Sequence, residues 1–517
     1  MGARRRLAQR LARRAALAGR GDRGYVMILA LLILTAVGIA AATLLTQVLT
    51  NQQHVTRDRA YTQSLAVAEA GLNQYLWMVA SGTSSQSNAF AIAGNTGPDP
   101  HFKQFDLTDV YNGSTQGTYA IKVTPPTAQD SNISVTVTGE ATSPADVPRT
   151  LTAHLGRPSF SQYVLLTNDE VWIGGPLDRV WHGKTFSNTG ICIDTANVTD
   201  PISCANASYT SSMDNRTHDG VWSGYLTTVP SNDPSRALWQ FPVPAISFTT
   251  VTSDFSRLNT LSVGNGVNLP YSTSTAHDAT QGWYIKLLPG SQYQIKRVTG
   301  ESESSSGSGG SGPTLVTPSS PVPSGVLPYP TNGVIYVNDN VWVEGTNLDG
   351  RITIASSGQL NTGSPSGRNG ATSISIVGNL TYSHQDGTVA VGLIAQNNVE
   401  VPRYAPWNAS GSVSQQDMEI DAAIIAQQGK ESCNAADSNY GPIRDMLTIY
   451  GSVSSYHKPY RSTVDNNGNT LGGFTNGSNT YDPWLLHNPP PYFPTVGTYQ
   501  ILDWRELPST QGVLPAS

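Results

Sequence analysis

Residues 25–46 read YVMILALLILTAVGIAAATLLT and carry no charged side chain. As an α-helix this run measures about 33 Å, enough to cross a hydrocarbon core of about 30 Å. Eight arginines precede it (Arg4, Arg5, Arg6, Arg10, Arg13, Arg14, Arg20 and Arg23) against one acid, Asp22, and no arginine follows until Arg57. That asymmetry puts the N-terminus in the cytoplasm and the chain after about residue 50 outside the membrane. Ala40-Ala41-Ala42 offers a site for a cleavable secretory signal, an alternative to an anchor. The run stays apolar past it, through Leu44, Leu45, Val48 and Leu49.

The next stretch, NQQHVTRDRAYTQSLAVAEAGLNQYLWMVA (51–80), has no proline and one glycine, Gly71. Val55, Ala60, Leu65, Ala68, Leu72, Leu76 and Val79 recur at spacings of three to five, the pattern of a helix with one apolar stripe. One helix is therefore predicted from Tyr25 to Ala80, leaving the membrane and continuing outside it.

Arg23-Gly24-Tyr25, the apolar run and Ala68-Glu69-Ala70-Gly71-Leu72 together resemble the N-terminus of type IV pilin-like proteins, most closely the PilX-type minor pilins. The resemblance covers the leader and the long helix, a small part of the chain. It implies that a prepilin peptidase cuts between Gly24 and Tyr25. It also implies that the helix, with Tyr25, Leu29, Leu34 and Leu45 along it, holds the subunit in membrane lipid or in a fibre core beside other pilin-like subunits and the pilus or secretion machinery. The sequence departs from the family at Leu29, where stacking pilins usually carry a Glu that neutralises a neighbour's N-terminal amine. An unpaired buried charge is costly. The departure suits a tip position, or a protein that is anchored and never enters a fibre.

After the helix, TYAIKV (118–123), ISVTVTG (133–139) and TLTAHL (150–155) alternate in the manner of strands, with Pro125-Pro126 and Ser143-Pro144 between them. Three short antiparallel strands packed on the helix resemble a pilin head.

From about residue 161 the texture changes to short β segments: YVLLTNDEVWIGG (163–175), IYVNDNVWVEG (335–345), RITIAS (351–356), SISIVGNLTYS (373–383), VGLIAQNNVEV (391–401), EIDAAIIAQ (419–427) and LTIYGSVSSY (447–456). Markers Ile335, Ile352, Ile374, Leu393, Ile424 and Ile449 are separated by 17, 22, 19, 31 and 25 residues, the longer steps holding obvious loops, which predicts a stacked, right-handed β-helix-like solenoid with a period of about 20. A β-sandwich is the alternative. Asn340, Asn379 and Asn398 fall at similar places and read as a structural ladder. A short helix is expected near Thr252–Leu261. Residues 301–325, rich in Ser and Gly, read as a linker or loop inserted in the body.

The tail, YDPWLLHNPPPYFP and YQILDWREL (481–494, 499–507), resembles the ending of extended pilin-like envelope proteins with a β-helical body. Pro489, Pro490 and Pro491 lock an extended path. With Trp484, Tyr492, Phe493 and Trp504 they are expected to cap one end of the stack. An aromatic grip on a surface glycan is the functional alternative. The domain plan is thus a leader (1–24), the helix (25–80), a small β domain (81–160), the body (161–480) and a terminal cap (481–517).

Composition narrows the function classes. Of 517 residues only 13% are charged, with 49 glycines and 33 prolines, which fits a long β-rich chain and not a coiled coil. A mean hydropathy of −0.24 excludes a polytopic transporter. The net charge of −6 conceals a basic head of about +7 on a body of about −13, which argues against nucleic-acid binding by the body. Three cysteines are present; Cys192 and Cys204 are expected to form a disulfide, leaving Cys433 over. No metal motif and no cofactor fingerprint occurs. The one catalytic temptation is Glu419 with Asp421, which share a face if the segment is a strand. Right-handed β-helix enzymes that cut acidic polysaccharides use clustered carboxylates with a basic residue such as Arg403 or Arg444, yet paired acids on a strand are commonplace.

The reading is a non-catalytic, low-copy pilin-like envelope protein. It is anchored by one helix with its body outside, is a prepilin peptidase substrate, and presents a β body for assembly or adhesion. The alternative is a secreted or anchored β-helix that binds or degrades polysaccharide.

Overall fold

No proline interrupts the first 80 residues, and in the computed structural model they form one helix, α1 (Gly2–Ala80). The structure describes residues 2–85, 88–126, 132–142, 147–174, 180–194, 198–272, 280–304, 309–358, 370–407, 417–436, 441–465 and 469–508, with side chains described from Tyr25 onward save at Val180 and Ser253. Hydroxyls within the apolar run are satisfied by the helix itself. Thr35 donates to Leu32 O, Thr43 to Ala40 O and Thr46 to Thr43 O, at 2.8–2.9 Å. The helix passes Gly24–Tyr25 without a break, so the backbone does not separate the expected leader from the anchor.

Only the last third of α1 is covered. Val67, Ala68, Leu72, Tyr75, Met78 and Val79 are buried against an antiparallel sheet of β1 (Phe102–Thr108), β2 (Thr115–Thr124), β3 (Ile133–Ala141) and β4 (Arg149–Gly156). The inward residues are those that alternation predicted: Tyr119, Ile121 and Val123; Ile133, Val135 and Val137; Leu151, Ala153 and Leu155. The sheet has five strands where three were expected. β1 pairs with β2, and the C-terminal strand Gln500–Leu507 pairs with β4.

The remainder is a large, mostly parallel β body. One stack runs, in spatial order, through Val267–Leu269, Val334–Val337, Arg351–Ser356, Ala390–Ala395, Met418–Ala426, Ile443–Ser455, Leu165–Thr167, Thr185–Ser187, Ile202–Cys204 and Trp239–Gln240, every neighbour parallel. A second stack joins the first halves of Asn340–Leu348 and Ile374–Tyr382 to Val399–Val401 and Glu431–Cys433. A third joins Leu380, Ile420, Ile449, Asn479 and Trp181. Inward side chains such as Ile354, Leu393, Ile424, Val399 and Ile449 form one continuous core. The sequence markers mix these stacks. Leu393 and Ile424 are true partners, whereas Ile335 pairs with Ile354 and not with the marker Ile352, and Ile374 and Ile449 belong to other faces, so the apparent step between markers is not a single repeat.

The order in space differs from the order in the chain. Residues 165–240 wind away from the middle of the first stack. α2 (Thr250–Gly264) then runs back along it, placing Val251, Phe255 and Leu258 on an outer apolar face made by Leu166, Val334, Tyr336, Ile394 and Ile425. From Val267 the chain winds inward until Val453 meets Leu165.

Asn side chains tie successive turns. Asn340 Oδ1 accepts from Ser373 N (2.9 Å), Asn379 Oδ1 from Glu419 N (3.1 Å) and Asn398 Oδ1 from Lys430 N (3.0 Å). Each satisfies a backbone donor that the ladder leaves open where the strands turn.

Two expectations need correction. Part of the 301–325 stretch is strand: Gly312–Val316 pairs antiparallel with Gln292–Ser302. The tail does not cap an end of the stack. Pro490 and Phe493 lie over Gly392, Pro491 lies over Gly333, and Thr353 Oγ1 donates to Pro491 O at 2.6 Å, so the segment crosses the flank of three adjacent strands. It covers apolar surface beside α2, which an outward-facing Val334, Ala355 and Ile394 would otherwise expose. Trp504 belongs to the strand that extends the small sheet and is half exposed.

Candidate functional site

The feature that distinguishes this molecule is a helix with two halves of opposite character. Tyr25, Leu29, Leu34 and Leu45 are all exposed, as are the other large apolar residues from Val26 to Leu49. Such a surface has no place in water. Among the described residues this is one helix long and apolar enough to cross a membrane, by length and composition. The residue on the other side of the expected cut, Gly24, is described in its backbone only.

The other half is seated by small residues. A Cβ on Gly139 would sit 2.4 Å from Ala68 N, one on Gly71 would sit 2.6 Å from Tyr119 Cδ2, and one on Gly117 would sit 2.9 Å from Val67 Cγ2. The AEAGL stretch is thus explained: Ala68 and Gly71 form the shallow face on which β2 and β3 lie. Polar links fix the register. Ser64 Oγ accepts from Ala141 N (3.0 Å), the Tyr119 hydroxyl meets Gln74 Oε1, and the buried Tyr75 hydroxyl donates to Phe90 O (2.8 Å). Arg149, buried against the end of the seat, stacks its guanidinium over the Tyr61 ring and pairs with Glu506 of the C-terminal strand. Gly117 and Gly139 escaped sequence reading, although each interrupts an alternating strand, the usual mark of a close backbone approach.

The expected carboxylate pair is split by the fold. Glu419 is exposed while Asp421 is only 1% exposed. Asp421 Oδ2 accepts from Tyr382 N at 2.8 Å, and Oδ1 has no hydrogen-bond partner among the described residues. Burial, with the Glu419 and Asp482 carboxylates nearby, pushes the Asp421 carboxyl up to about 7, against the Tyr382 N–H and the Gln385 amide. Asp482, also buried, is raised by desolvation and accepts from the Tyr450 hydroxyl (3.0 Å). The sequence pair is therefore one surface acid and one member of a buried Asp–Tyr cluster whose other members come from segments far apart in the chain. Arg403 and Arg444 lie elsewhere: Arg403 donates to Asn434 O, and the fully buried Arg444 donates to Pro402 O.

A second acid, the half-buried Glu301, accepts from Trp342 Nε1 (2.8 Å) and from the Tyr404 hydroxyl. Desolvation raises its carboxyl to about 7 despite these donors. It joins the strand Gln292–Ser302 to Trp342 of the second stack.

The disulfide expectation is not met: Cys192, Cys204 and Cys433 are all free and buried. Cys192 packs with Tyr209 and Trp222 on one side of its strand, whereas Cys204 points into the main core. The two thiols belong to separate apolar clusters, which neighbouring positions in sequence did not reveal. Burial raises the pKa of all three.

No protein-family model matches this chain, and no curated protein matches it. Among solved structures it is similar to the competence-associated pilin ComZ from Thermus thermophilus over 86% of this chain and 97% of that chain, at 13% identity and a TM-score of 0.28. A likeness that low carries no argument here.

Proposed function

We propose that the chain is a membrane-anchored, pilin-like envelope protein whose β body stands outside the cell. One observation carries this reading: a single unbroken helix is bare and apolar over Tyr25–Leu49 and seated on an antiparallel sheet over Ala60–Val79. The bare half removes its apolar surface from water only in lipid or among like helices, at about 25 cal/mol per Å². The seated half holds the sheet just outside.

The finer reading follows from the residues. The Arg-rich leader and the Gly24–Tyr25 junction make the chain a substrate for a prepilin peptidase. Leu29, in place of an acidic partner for a neighbour's amine, favours a tip-type, low-copy subunit. The bulk of the body, which would crowd a closely stacked fibre, favours it too. The three parallel stacks are read as one β-solenoid, entered at its middle, that presents surface for assembly or adhesion. In this reading the protein acts by packing and makes or breaks no bond itself.

Intact mass of the protein recovered from membranes tests the assignment. The reading expects a mature chain beginning at Tyr25. A mature chain beginning near Thr43 identifies a secreted protein and removes the anchor.

A further inference from the structure

The tip of the β1–β2 hairpin exposes two large apolar side chains almost completely: Val110 is 95% and Tyr111 99% exposed. The loop is not loose. Asp109 N donates to Ser114 O and Gly113 N to Asp109 O, both at 2.9 Å, and Tyr111 N donates to Asp109 Oδ1 at 2.8 Å. The backbone satisfies itself and leaves Val110 and Tyr111 outside.

Where the tip points follows from the seat of α1. Along β3, Val137 lies at Gly71, Gly139 at Ala68 and Ala141 at Ser64. Along β2, Tyr119 lies at Gly71 and Gly117 at Val67. Two strand residues therefore correspond to three or four helix residues, which is about 7 Å against about 5–6 Å, so strands and helix run nearly side by side. β2 runs from Gly117 through Thr115 to the tip, and Thr115 faces Thr108 across the hairpin. Toward the tip the helix numbers fall, toward the apolar run. Extending that ratio puts the tip level with roughly residues 57–59 of α1, about 12–15 Å beyond Leu49.

We infer that Val110 and Tyr111 form a second membrane contact, entering the headgroup layer beside the anchor helix. The apolar stretch from Tyr25 to Leu49 is about 37 Å long, against a hydrocarbon core of about 30 Å. A tilt of about 20°, ordinary for a membrane helix, shortens its projection to about 35 Å and takes up part of that mismatch. A tilt toward the β1 edge lowers the hairpin by several Å, and the Tyr111 side chain adds its own length. A Tyr at the headgroup level keeps its ring in the apolar zone and its hydroxyl in water. The occupant proposed is lipid and not an anionic partner, because the tip carries Asp109 and no basic residue between Asp106 and Gln116. The inference rests on the anchored reading above.

The test uses the full chain in phosphatidylcholine vesicles, with single cysteine labels at three positions. Val110→Cys or Tyr111→Cys reports the tip, Leu34→Cys reports the anchor, and Thr96→Cys, exposed at the opposite end of the sheet, is the aqueous control. The native thiols are buried and stay unlabelled. Expected is quenching of the tip label by lipid carrying a headgroup-level quencher, several-fold above that at Thr96, with a matching fall in accessibility to a water-soluble quencher. A tip label as open to the aqueous quencher as Thr96, with Leu34 inside the bilayer, overturns the second contact and leaves the anchor standing. Leu34 outside the bilayer sinks both. Protection of the tip that appears only as protein density rises, with dipolar coupling between labels, assigns the tip to a second copy of the chain and overturns the lipid contact.

Discussion

Leu165 lies in parallel register with Val453, so the first strand of the body is stacked on one of its last. Residues 165–240 cannot bury their inward side chains on that side until the chain has wound from Val267 to Ser455. Trp181 repeats the arrangement against Asn479 on another face. Both Leu165 and Val453 lie in the main core.

The body should therefore unfold as one unit across this seam. Leu165→Ala removes a fully enclosed side chain and should cost about 2–5 kcal/mol. Urea unfolding of the solubilised chain, followed by both Trp fluorescence and limited proteolysis, is expected to show residues 163–240 and 441–481 lost together. Separate transitions for the two segments would show that the seam does not couple them.

The glycine seat should be intolerant of bulk. Gly139→Val drives a side chain into the Ala68 backbone and should destabilise the small sheet by about 1–3 kcal/mol or more. Gly38→Ala, which meets nothing within 4 Å, should leave the melting temperature unchanged or raise it slightly. Equal losses in the two variants would remove the argument that Ala68 and Gly71 are small because the sheet lies on them.

Asp421 predicts a pH dependence with a definite sign. Its carboxyl is raised to about 7 in the folded chain, from an ordinary value near 3.8. Below that ordinary value both states are protonated and the group is neutral in its effect. As pH rises toward 7, the unfolded chain ionises first, so stability is lost across the window from about 4 to 7. Asp421→Asn should flatten part of this slope in a thermal melt taken at pH 5 and pH 8. Glu301, raised to about 7, Asp254, raised to about 6, and Asp482, also raised by desolvation, add to the slope with the same sign. A slope of the same size in wild type and variant would show that Asp421 is ionised in the folded state.

Three buried thiols predict a silent protein toward maleimide. The native chain should take up essentially no reagent, and the denatured, unreduced chain should take up three equivalents. One equivalent after denaturation without reductant would restore the disulfide between Cys192 and Cys204.

What is legible in the sequence follows from range. The helix through Ala80 and β2, β3 and β4 rest on local periodicity, and each lies where Val79, Ile121, Val135 and Leu151 place it. β1 gives no such signal, because only Phe105 and Leu107 of its side chains pack inward, and they do so partly. The strand Gln500–Leu507 is readable as a strand, but its partner β4 lies most of the chain away, and no local signal names it. The same limit hides the seam between Leu165 and Val453. At the carboxylates, the spacing of Glu419 and Asp421 says nothing about depth. The neighbours that bury Asp421, namely Tyr382, Tyr450 and Asp482, arrive from other turns of the body.

The central claim is that the body remains joined to a bilayer through the bare half of α1. Alkaline carbonate extraction of membranes from cells expressing the full chain, probed with an antibody to residues 417–436, addresses it directly. The account predicts that the antigen stays in the membrane pellet and is released only by detergent. Antigen released into the carbonate supernatant, or secreted free into the medium, would contradict it.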